Sequence, residues 1–157
     1  MSKSKNKITF IVNNDFDIPE SFNVIRNTDN LPETQFFNKV LAETFNSLLP
    51  LNVVALICNN TELINPHTEE IIMSLFEFYS EIGFVYTDAL IVNQGVEFID
   101  YFSGLSLPNE SFFLNLTVPL QLNNTEQSKI GAMNQLLSTG KTFIHLPDPL
   151  IKVYHQL

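Results

Sequence analysis

The run "NVVALIC" at residues 52–58 is almost wholly apolar, with two β-branched valines directly after Asn52. Nothing alternates along it, so a strand built from this run has both faces covered, as in the centre of an α/β sheet. The next eight residues are its opposite: "NNTELINP" at 59–66 is polar and ends in a proline. Open α/β sheets place ligands beyond the carboxyl ends of their strands, which makes this polar turn the first place to look for a site.

Helical patterns flank the apolar run. Between residues 33 and 49, Phe36, Phe37, Val40, Leu41, Phe45 and Leu48 recur at helical spacing before Pro50. From 67 to 79, Ile71, Ile72, Leu75, Phe76 and Tyr79 share one side, with Glu69 and Glu70 in the first turn, where the helix dipole favours anions. A third helix is predicted over 129–139, ended by Gly140. Strands are predicted for "KITFIV" (7–12), "FNVIR" (22–26), "GFVYTDALIV" (83–92, interrupted near Thr87 and Asp88) and "TFIHLP" (142–147), with an apolar, partly extended tail at 149–156. This alternation predicts an α/β domain of three layers, a mostly parallel sheet flanked by helices.

The 157 residues make one domain, 1–157, with 1–6 as a flexible basic tail. Eight basic residues against seventeen acidic ones give a net charge of −9, which argues against nucleic acid or an anionic membrane as partner. No apolar run reaches the roughly 18 residues of a membrane span, and the start lacks a signal-peptide core. The expected location is cytoplasmic, or within a particle assembled inside the cell, without secretion by a signal peptide. Cys58, the single cysteine, reads as a small buried hydrophobe. His67, His145 and His155 lack metal-ligand spacing, and His145 reads as a structural histidine of its strand.

Several stretches, taken in order, resemble family 2 glycosyltransferases of the GT-A fold. "LICNNTELINP" followed by "HTEEIIMSLFEFYSEIGFVYTDA" is similar to that family's apolar strand, acidic L-N-N-D-T or D-x-D motif, proline-started helix and "G-x-V-Y-x-D" strand. "FFNKVLAETFNSL" and "LLSTGKTFIHLPDPLIKVYHQ" are similar to its preceding and closing segments. The resemblance implies a truncated, nucleotide-diphospho-sugar transferase-like domain, with Asn59, Asn60, Thr61 and Glu62 as the remnant of the donor site. Thr61 stands where the family places its metal-binding aspartate, and 58–61 hold no aspartate, so no metal is expected there. The family's catalytic base falls on Ser128 and Lys129, leaving Glu126 as the candidate catalytic residue.

These departures imply a domain that has lost catalysis, needs no cofactor and serves as a structural or protein-interaction module of a larger assembly. The alternative is an active or sugar-nucleotide-binding family 2 glycosyltransferase using a divalent cation, manganese or magnesium. For the module, Phe98, Tyr101, Phe102, Phe112 and Phe113, around Gly104 and Pro108, are the expected interaction surface. The expected partner is a protein or a second copy of the chain.

Overall fold

A computed structural model describes residues 7–13, 21–58, 61–93, 95–100, 111–116, 120–122 and 128–155. In chain order the elements are β1 (Thr9–Val12), β2 (Asn23–Arg26), α1 (Glu33–Glu43), β3 (Val53–Ile57), β4 (Thr61–Leu63), α2 (Thr68–Phe78), β5 (Ile82–Asn93), β6 (Val96–Asp100), β7 (Phe112–Asn115), α3 (Ser128–Ser138) and β8 (Thr142–His155). All eight strands join one sheet in the order β2-β1-β3-β7-β5-β8-β4, with β6 beside β5.

Every residue of β3 is buried, as the unbroken apolar run requires. Val54 and Leu56 face Phe36, Phe37 and Leu41 of α1 and Ala132 and Leu136 of α3. On the other face Val53, Ala55 and Ile57 pack with Ile72, Met73 and Phe76 of α2. Burying each Val, Leu or Ile side chain contributes about 1.5–3 kcal/mol, so this strand and its helices anchor the fold.

The sheet is not mostly parallel. β1 pairs in parallel with β2 and β3, and β5 with β8, but β3–β7, β5–β7, β5–β6 and β4–β8 are antiparallel. Connection length explains part of this. Asn93 and Val96 pair across a turn containing Gly95 at φ 80°, far too short for the crossover that parallel strands need. β7 is the other cause: "FFLN" enters between β3 and β5 against their direction.

Phe112 and Phe113 are accordingly core residues, not an exposed interaction surface. Adjacent side chains of a strand point to opposite faces, so Phe112 joins the α1/α3 side and Phe113 the α2 side.

The sheet also curls. Between Thr87 and Ala89 the register with β8 slips, so that Asp88 alone stands opposite residues 147–150, which include Pro147 and Pro149. Prolines donate no ladder hydrogen bond, and such an irregularity bends and twists a strand. Beyond it the ends of β5 and β8 carry a separate small cluster of Ala89, Ile91 and Ile151, packed with Leu63 and Val153. The result is a curled half-barrel of mixed topology with three helices among the described residues, in place of the three-layer, mostly parallel sheet that the alternation of elements predicts and the GT-A fold that the resemblance implies. No helix among the described residues is long and apolar enough to cross a membrane.

Candidate functional site

The polar turn after β3 is the first place to test. Thr61 and Glu62 open β4, where Thr61 is buried opposite Val153 and Glu62 lies opposite Lys152. Tyr154 donates its hydroxyl to Glu62 at 2.8 Å. These two residues therefore form part of a sheet edge rather than a ligand turn. Asn59, Asn60 and Glu126 lie outside the described residues, as do Tyr101 and Phe102, while Phe98 sits in β6 opposite Ile91. Among the described residues no three His, Cys, Asp or Glu side chains gather as a metal site.

Side chains at the carboxyl ends of β1 and β2 bind one another. Asn27 donates to the Asn13 side chain at 2.8 Å and to the Leu31 carbonyl at 2.7 Å, and Asn13 reaches Glu33 at 3.4 Å. This knot fixes the entry to α1. Beside it, the Cys58 N–H donates to the Ser111 hydroxyl at 3.0 Å.

A buried acid stands at the curl. Asp88 is fully buried, and its Oδ1 lies 2.6 Å from His145 Nε2, whose side chain is 21% exposed. The His145 ring stacks on Tyr86 with centroids 5.0 Å apart. A row of rings continues inward through Phe84, which stacks on Phe112 at 4.9 Å and meets Phe143 at 5.1 Å. A carboxylate in this position orients an imidazole and selects its tautomer. Here the bond also joins the single β5 residue at the slip to the strand carrying the two prolines, so it clasps the bend. The sequence signals were slight: an interruption at Thr87 and Asp88, and a histidine in an alternating strand.

The opposite end of the sheet differs in character. β3, β5 and β8 run in the same direction, because β7 is antiparallel to both β3 and β5 and β8 is parallel to β5. Their amino ends, and the carboxyl ends of the three helices leading into them, therefore lie together. Strands about 4.8 Å apart put β3 and β8, three places apart in the order, about 14 Å from each other.

This end presents large apolar side chains to solvent: Leu48 is 89% exposed, Phe78 82%, Leu137 56%, Tyr79 50% and Leu49 40%. The turns beside them are tied down. Asn46 accepts from the Leu48 N–H at 2.9 Å, its own N–H donates to Asn52 at 3.0 Å, and the Asn52 N–H donates to Asn115 at 3.1 Å. On the other side Lys141 donates to the Ser80 carbonyl at 3.0 Å and the Thr142 N–H to the Glu81 carbonyl at 2.8 Å. The rim is thus held by hydrogen bonds on two sides. Leu48 and Tyr79 are visible in the sequence only as apolar positions of helices, where periodicity assigns them to the core.

Compared with known protein families and with curated proteins, the sequence matches none. With the curled mixed sheet, this overturns the glycosyltransferase resemblance, and the reading of a glycosyltransferase-like domain that has lost catalysis falls with it, as does its sugar-nucleotide alternative. The short runs that carried the likeness, an apolar strand, a capped helix and a glycine stop, are common to α/β domains of many kinds.

Proposed function

We propose that this chain is a protein-docking module that binds through the apolar rim at the amino ends of β3, β5 and β8. The observation that carries this reading is the exposure of Leu48, Leu49, Phe78, Tyr79 and Leu137 at one end of the fold, on or beside turns held by hydrogen bonds. Single exposed apolar residues are ordinary on protein surfaces; several gathered at one end mark a surface that another molecule covers. Aromatic anchors such as Phe78 and Tyr79 supply most of the energy in such contacts.

The test compares the wild type with a Leu48→Ser, Phe78→Ser double variant as immobilised baits in extract of the source cells, after matching melting temperatures show that both are folded. A defined protein, retained by the wild type in fixed stoichiometry and lost by the variant, is the expected result. Equal retention by both baits refutes the reading.

A further inference from the structure

We infer that the occupant of this rim is a basic amphipathic segment of a partner protein, an inference that rests on the docking reading above. Charge around the apolar side chains carries it. Glu43 is the last residue of α1 and Glu81 opens the connection from α2 to β5; both are exposed. Lys141 is the one cation among the described residues of these connections, and its ammonium is bonded to the Ser80 carbonyl. Helix carboxyl ends carry partial negative charge and favour cations, yet neither α1 nor α2 has a basic residue in its last turn. Glu43 therefore sits where the fold itself disfavours it. A ligand with an apolar stripe edged by Lys or Arg covers the apolar side chains and offsets these carboxylates together.

A second copy of the chain fits less well. It brings like charge to the same place, and each chain carries a net charge of −9. An anionic lipid surface is opposed for the same reason.

The inference is tested with three synthetic amphipathic helices of about five turns, sharing one leucine stripe and carrying Lys, Gln or Glu on the other face. Affinity is measured by calorimetry near physiological ionic strength, where the Debye length is about 8 Å. The Lys peptide is expected to bind about fivefold tighter than the Gln peptide, from two partly screened charge pairs. A Glu43→Gln, Glu81→Gln variant is expected to remove that advantage and leave the Gln peptide unchanged. Leu48→Ser with Phe78→Ser is expected to weaken both peptides.

Equal affinity for the Lys and Gln peptides, with both weakened by the serine variant, overturns the basic partner and leaves the docking reading standing. If the serine variant changes neither peptide, the docking reading itself fails. A concentration-dependent dimer in sedimentation, abolished by Phe78→Ser, assigns the rim to a second copy and overturns the inference. Tighter binding to phosphatidylcholine vesicles than to the Lys peptide assigns it to lipid and does the same.

Discussion

Phe84 and Phe78 are the same residue type in opposite circumstances, and replacing each by alanine measures the difference. Phe84 is fully buried at the centre of the ring row, stacked on Phe112 and in contact with Phe143. Removing a buried phenylalanine ring costs about 3–5 kcal/mol from lost transfer energy and the cavity left behind. The lost stacking adds about 0.5–1.5 kcal/mol, which puts Phe84→Ala towards the top of that range. Phe78→Ala alters a side chain already in water and is expected to change stability by no more than about 0.5 kcal/mol.

In urea denaturation with a slope of about 2 kcal/mol per molar, the Phe84 variant unfolds about 2 M earlier than the Phe78 variant. Domains have only about 5–15 kcal/mol of stability, so Phe84→Leu is measured beside it as a milder cut with a smaller loss. A gap below about 1 kcal/mol between the two alanine variants refutes the assignment of Phe84 to the core and Phe78 to the rim.

The geometry sets three further expectations. Gly83→Ala puts a methyl 2.8 Å from Lys141 Cβ and 3.2 Å from Leu136 Cδ2. Scanning calorimetry is expected to show a loss of about 1–3 kcal/mol from that crowding, and an unchanged melting temperature means the α3–β8 connection gives way freely. His145→Ala removes the clasp on Asp88 and is expected to cost about 1–3 kcal/mol and to speed hydrogen exchange along β8, with His145→Gln restoring part of the loss; equal stability of all three proteins sinks this. Donation to Glu62, aided by burial, raises the Tyr154 phenol above its ordinary 10.0. Because the folded value lies above the unfolded one, the stabilisation is complete below about pH 10 and is lost as pH rises through the folded value. Ultraviolet titration should show the band that disappears in Tyr154→Phe moving to lower pH in Glu62→Gln, and a band that stays in place contradicts the bond.

The central strand and its two neighbouring helices were legible because their signals are local: an unbroken apolar run and helical spacing of large side chains. α1 nonetheless ends at Glu43, earlier than the apolar spacing suggests, and so releases Leu48 to solvent. In the sequence β7 reads as part of an interaction surface, because a run of four residues is too short to show a period. Its consecutive phenylalanines are equally the pattern of a strand covered on both faces. Pro147 and Pro149 split β8 on paper into a strand and a tail. The slip opposite Asp88 is what lets one strand of 14 residues pass through them, and that depends on a residue far away along the chain, 57 positions from His145. The rim was the least visible feature, since it arises from the shared direction of strands that pairing alone decides.

β7 has a consequence for how the chain comes into being. It lies between β3 and β5, which are never neighbours although only β4 and α2 separate them along the sequence. A nascent polypeptide that has left the ribosome as far as β6 has nothing to place in that gap. One edge of β3 and the first half of β5 stay unmatched, and Val54, Leu56 and Phe84 lack the ring of Phe112. Translation at about 5–20 residues per second then makes the interval before Phe112 arrives a period of seconds, during which the open edges invite pairing with other chains. The first hundred residues are therefore not a half-built domain that waits in safety. Closure waits for the keystone strand to be delivered.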